Sequence, residues 1–324
     1  MNNKTHKNPG LDDLDQREFN NGSISSTQIE EQPITKPSSL GKAKGFEEDL
    51  DEPSFLPGYI EIYAQNFPTK GIFYGKDARF LIRAATVTEI KQFSTISEDD
   101  PYSIDEALNQ VLKSCLTYRE GSSMRSFKDL KEEDRIYVIM AVRELTFLKG
   151  ENDLVINYTC NECGTSGKVE VRSTSFESNE PSDKIMKYYD EDSRKFIVQT
   201  KSNGNIVIAP PSVGIMMEVT KWIQKQQQEG KKLDKSFLKT LPYMLKDWRG
   251  LNEKIISNMQ IEYMSWDLKL FQTMNSLIDM CKVGVKENLT VECEKCQAEV
   301  TVPISFPSGI KSLFVVSDID SELL

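Results

Sequence analysis

Histidine is almost missing from this chain of 324 residues: the only one is His6, in a polar N-terminal stretch. A Ser-His-Asp or Cys-His apparatus therefore has no base in the folded body. Mixed Cys/His metal sites are excluded for the same reason, so a zinc site here must use cysteine, or cysteine with carboxylate. Long apolar runs are lacking too. The longest, Ile136 to Val142, lies between Arg135 and Arg143 and is far short of the ~20 residues that cross a bilayer. The opening MNNKTHKNPG has no apolar signal core, which leads us to expect a protein that stays in the cytoplasm where it is made. Neither a G-x-x-x-x-G-K-[ST] phosphate loop nor a G-x-G-x-x-G fingerprint is present. Basic charge is in deficit, with 40 Lys and Arg against 50 Asp and Glu. A net charge of -10 disfavours phosphate-backbone binding.

What the chain does have is six cysteines, four of them in two C-x-x-C pairs. The first pair reads DLVINYTCNECGTSGKVEV and the second ENLTVECEKCQAEVTVPIS. Each is an alternating strand, a tight turn and another alternating strand. Two residues between cysteines let both sulfurs face one concavity, and four thiolates close a tetrahedral zinc site. In a reducing compartment, paired C-x-x-C motifs are more often metal sites than disulfides. Cys160, Cys163, Cys293 and Cys296 are therefore the candidate ligands of one structural Zn2+, with no open position for catalysis. Two other readings remain open. A dithiol oxidoreductase would place C-x-x-C at a helix N-terminus, whereas strand sequence flanks both pairs. Two metal-free knuckles are the other. Glu162, Glu292, Glu294 and Glu299 read as solvated neighbours. Cys115 lies on the apolar stripe of a helix and reads as core.

The expected fold class is α+β: two CxxC β-hairpin knuckles forming a zinc-ribbon-like module, a helical block inserted between them, and a small β/helical N-terminal part. Its organisation is a disordered tail over 1–53, a β/α part over 54–172 that ends in the first knuckle, and a polar linker over 173–192. A hairpin with a helical insertion over 193–284, the second knuckle over 285–307 and an acidic tail over 308–324 complete it. Within these spans, Ser103 and Glu106 suggest a helix capping box. Glu132, Glu133 and Asp134 suit the positive end of a helix dipole. Pro242 suggests a kink, and Ser265 a cap for the last helix. A non-enzymatic protein that works through protein contacts fits this composition. A zinc-ribbon nucleic-acid binder is the alternative, with Lys221, Lys225, Lys231, Lys232 and Lys235 as its only candidate patch.

The segment Phe67-Pro68-Thr69-Lys70-Gly71-Ile72-Phe73-Tyr74, the run RELTFLKGENDLVINYTCNEC, and Cys293 and Cys296 near the C-terminus occur in an order that resembles one family. It is that of the baseplate hub and hub-assembly proteins of T-even-like contractile-tailed phages. The resemblance spans roughly Pro57 to Phe306. It implies a role in building the central hub of a tail baseplate, as assembly factor (chaperone), structural subunit or both. The implied partners are tail proteins such as tape-measure or hub components, with no nucleic acid and no membrane span. The implied places are the host cytoplasm during assembly and the virion tail baseplate.

Overall fold

The computed structural model describes residues 58–97, 99–147, 154–200, 204–286, 288–304 and 313–314. The chain divides into two units, Met1–Pro53 and Ser54–Leu324, and all described residues belong to the second. The disorder expected over 1–53 falls outside the described residues, as does most of the tail expected over 308–324.

Alternating apolar residues build the first sheet. Strands β1 (Ile60–Ile62) and β2 (Ala78–Ile82) pair antiparallel, and the chain then enters helices α1 (Val87–Ser94) and α2 (Pro101–Cys115). It returns through β3 (Leu116–Glu120) and β4 (Ser123–Arg125), so the sheet order is β1-β2-β3-β4. Phe80 and Tyr118 face each other across β2 and β3, and their rings stack at 4.4 Å. Helix α1 starts with a capping box between Thr86 and Glu89, and the Glu89 carboxylate also takes a fork from Arg83 at 2.7 and 3.0 Å. The capping box expected at Ser103 and Glu106 is not the start of α2. Asp100 caps that helix by accepting the Tyr102 N–H, and Pro101 occupies its first position. Proline needs no acceptor there, and its φ is already helical.

Helix α3 (Glu132–Thr146) runs through the middle of the first core, with Val138, Ile139, Met140 and Val142 buried. Its acidic first turn does more than complement a dipole. Asp134 is buried and accepts from the Thr69 N–H at 2.9 Å, the Thr69 hydroxyl at 2.7 Å and the Tyr74 hydroxyl. Tyr74 in turn accepts the Lys131 N–H. Burial pushes the Asp134 carboxyl up to about 6, against the opposing pull of the Tyr74 and Thr69 hydrogen bonds. The same turn holds the approach to the helical block: Glu132 N–H donates to Pro211 O, and Val213 N–H to Leu130 O.

Strands β5 (Val155–Thr159) and β6 (Ser166–Glu170) form the first cysteine hairpin. The segment expected as a polar linker is then structured. It contains β7 (Ser178–Asn179), α4 (Asp183–Met186) and β8 (Tyr189–Asp190). Ile185 is fully buried, and Tyr189 packs edge-on to Phe73 and Phe196. Two well-placed apolar side chains anchor this stretch, although they follow no helical or strand period. Strands β9 (Lys195–Thr200) and β10 (Gly204–Ile208) complete a β10-β9-β8 sheet over a second core.

Four helices follow: α5 (Val213–Gln228), α6 (Lys235–Met244), α7 (Glu253–Met264) and α8 (Leu268–Cys281). A third core forms around Trp222, Phe237, Leu241 and Tyr263. Pro242 lies inside α6, two residues before its end. The cap of α8 is Asp267, which accepts the Leu270 N–H at 2.7 Å, while Ser265 closes α7. Strand β11 (Gly284–Val285) pairs with β7, and β12 (Asn288–Glu292) with β13 (Glu299–Pro303) makes the second cysteine hairpin. Leu313 and Phe314, within the span expected as an acidic tail, are buried in the first core, where Phe314 meets Phe93 at 5.0 Å.

Asp134→Ala leaves the Thr69 amide and the Tyr74 hydroxyl unsatisfied, and is expected to cost roughly 3 kcal/mol of unfolding free energy in urea titrations. Asp134→Asn, which keeps one acceptor, is expected to cost less. Arg83 and the Thr86 groups hold Glu89 down to about 2, below its ordinary 4.5. Its stabilisation is therefore complete above about pH 4.5 and fades as pH falls toward 2. The stability gap between the native chain and Glu89→Gln is expected to narrow across that window.

Candidate metal centre

The two cysteine hairpins are the same object at two places in the chain. In the first, Val155 pairs with Glu170 and Thr159 with Ser166; in the second, Asn288 pairs with Pro303 and Glu292 with Glu299. Their turns also match bond for bond. Cys160 N–H donates to Thr165 O and Gly164 N–H to Cys160 O; Cys293 N–H donates to Ala298 O and Gln297 N–H to Cys293 O. The residue after the second cysteine takes a left-handed conformation in both, Gly164 at φ 68° and Gln297 at φ 58°. The first turn uses the residue that adopts it freely; the second accepts a side chain there at some cost.

Packing is exchanged at the mirrored pair second from the turn. Tyr158 faces Gly167, where an added Cβ would lie 2.5 Å from the ring, whereas Val291 faces Val300. One large and one absent side chain fill the place of two medium ones. Inward residues of both hairpins, Ile156 and Val171 in one and Leu289, Val300 and Val302 in the other, enter the same core. That shared burial brings the two turns face to face.

The four Sγ atoms all lie within 4.8 Å of one another. Two separations that cross between hairpins, Cys160 to Cys296 and Cys163 to Cys293, are each 3.6 Å. A tetrahedron of thiolates around zinc has an edge of about 3.8 Å, so the donor set fits one ion in size and chemistry. Cys160 and Cys293 are buried, Cys163 is partly covered, and Cys296 is exposed. The Thr165 hydroxyl, 3.3 Å from Cys163 Sγ, together with the Thr165 N–H holds Cys163 down to about 6. The N–H groups of Cys296 and Lys295 lower Cys293. At Cys296 the Ala298 N–H also favours the thiolate, but the sulfurs of Cys163, Cys160 and Cys293 outweigh it and push the group up to about 12. Four sulfurs so placed cannot all ionise without a cation among them.

Neither pair stands at a helix N-terminus, the setting that activates a redox dithiol. The neighbouring Glu162, Glu292, Glu294 and Glu299 are exposed. Cys115 and Cys281 are buried away from the cluster, and burial pushes each up to about 12. The lysine patch proposed for nucleic acid is partly neutralised: Lys221 pairs with Glu218, Lys225 with Glu253 and Lys231 with Glu229. The equal registers of the hairpins and the Tyr158–Gly167 exchange went unread in the sequence. The constant offset of 133 residues between the two C-x-x-C pairs and their strands was the available signal.

No helix among the described residues is long and apolar enough to cross a membrane. No curated protein and no solved structure matches the chain. The model of a family described as T4 bacteriophage base plate protein matches residues 69–315, a span that contains both hairpins and most of the described structure. The match covers well over half of the sequence, and the chain belongs to the T4 bacteriophage base plate protein family.

Proposed function

We propose that this protein is a non-enzymatic factor or subunit in building the baseplate hub of a contractile phage tail, acting through protein contacts on a scaffold stapled by one Zn2+. The family match over residues 69–315 carries the baseplate role, and the four sulfurs within 4.8 Å support the metal. Cys160, Cys163, Cys293 and Cys296 would hold the ion, which supplies charge neutralisation and a cross-link, with no vacant position for a reacting water. Closing a loop of this length costs about 4 kcal/mol. A cysteine-bound zinc contributes on the order of 10 kcal/mol of apparent binding energy, enough to offset it. The partners in this reading are other tail proteins, hub or tape-measure components. The chain would meet them in the host cytoplasm during assembly and remain, as a subunit, in the tail baseplate.

Metal analysis of freshly purified full-length protein is expected to find one zinc per chain. Cys160→Ala or Cys293→Ala is expected to abolish it, while Cys115→Ala and Cys281→Ala retain it and lose only about 1–2 kcal/mol of stability from core packing. A metal-free native protein would remove the zinc from this reading. Co-purification from infected cells tests the role: tail and baseplate proteins are expected in the complex. A solitary protein with insulin-reducing activity would overturn it.

A further inference from the structure

The four sulfurs of the metal centre are covered unequally. Cys160 and Cys293, the first of each pair, are 1% and 2% exposed, whereas Cys163 is partly covered and Cys296 is open to solvent. The centre therefore has an inner side against the first core and an outer side at the two turns. Turn residues Asn161, Glu162 and Gly164 of one hairpin and Glu294, Lys295 and Gln297 of the other are exposed as well. Cys296 is thus reached without moving a core residue. What holds the hairpins in place does not wait for an ion. Modules that fold only with zinc are too small to bury a core of their own. Here Ile156, Val171, Leu289, Val300 and Val302 are buried in the cluster that contains Val138 of α3. Each turn also closes on its own main-chain bonds.

The outer side is also charged. Over residues 160–166 and 292–299 the chain carries four glutamates, Glu162, Glu292, Glu294 and Glu299, against one lysine, Lys295. All four are exposed, and none forms an ion pair with Lys or Arg among the described residues. Glu292 and Glu299 stand directly opposite each other across β12 and β13. Like charges so placed weaken a hairpin. The first hairpin has Thr159 and Ser166 at the same place and avoids that cost. Unpaired carboxylates beside an open thiolate site raise the local concentration of cations.

We propose that the metal ion enters and leaves the folded protein at Cys296, with the surrounding glutamates drawing cations to that edge, so that the staple is set after the fold. On release Cys296 lets go first and takes a proton from water. A donor from outside fills the position it leaves, and the other sulfurs follow in the same way. Loading runs in reverse, with Cys296 closing last. This rests on the zinc reading of the four cysteines and adds the path and the order of exchange.

The test mixes full-length, zinc-loaded protein with the chromophoric chelator 4-(2-pyridylazo)resorcinol and follows near-UV circular dichroism in parallel. Zinc transfer is expected to speed up in proportion to chelator concentration, and the near-UV signal is expected to survive it. Iodoacetamide labelling, read by mass spectrometry of proteolytic peptides, is expected to reach Cys296 about tenfold faster than Cys160 or Cys293. Combined Glu292→Gln, Glu294→Gln and Glu299→Gln is expected to slow Co2+ uptake by the metal-free chain about fivefold at low ionic strength and not at high. Labelling by the uncharged iodoacetamide is expected to stay the same in that variant. Zinc transfer independent of chelator and as slow as global unfolding, or a near-UV signal lost with the metal, overturns the proposal and leaves the zinc reading in place. Equal labelling of the four cysteines, or Co2+ uptake that the triple substitution leaves unchanged, does so too. A chain that holds no zinc when isolated and takes up no Co2+ removes the metal reading and this proposal together.

Discussion

The structure depends on two short hairpins, far apart in the chain, burying their inner faces in one core. A two-stranded hairpin is barely stable alone in water. Here Ile156 and Val171 from one, and Leu289, Val300 and Val302 from the other, share a cluster with the central residues of α3. Apolar burial of this kind is non-directional; it draws the hairpins together but does not dictate where their turns meet. The matched registers and turn bonds do that, by presenting two sulfurs from each side, the first of each pair buried. The proposed ion would then fix a meeting that packing has already arranged.

A second constraint lies at the opening of α3. Thr69 and Tyr74 grip Asp134, while the backbone at Leu130 and Glu132 grips Pro211 and Val213. One helical turn thus joins the N-terminal sheet to the start of the helical block. A carboxylate buried at such cost is retained where its hydrogen bonds specify geometry that apolar contacts would leave loose. The segment it grips carries Phe67 into the first core and Phe73 into the second, and α5 carries Val213 into the first and Ile215 into the third, so its polar bonds hold chain that all three cores share.

Much of this was legible in the sequence, and the parts that were not share a cause. C-x-x-C spacing and strand alternation are local, so the cysteine hairpins and the amphipathic helices could be read directly. Cys115 followed from a helical stripe. The segment 173–192 could not be read, because Ile185 and Tyr189 pack in a core with Phe73, more than 100 residues earlier, as well as with the neighbouring Phe196. Asp134 looked like one of three dipole-compensating acids, since nothing local marks which acid turns inward. Asp100 outranked Ser103 as a cap because Pro101 marks the true first position. Phe314 sits beside acidic residues that suggest a solvated end, and only its contact with Phe93 reveals otherwise.

The mirrored hairpins also govern what a break in the backbone would mean. Everything between Glu170 and Asn288 leaves from one hairpin and comes back to its twin, and β7 pairs with β11 on the way out and back, so departure and return sit side by side. Severing a peptide bond inside that excursion would yield two polypeptides still clasped by a common interior, migrating as one species until denaturant frees them. Integrity of the particle and continuity of the chain are, for this protein, separate properties.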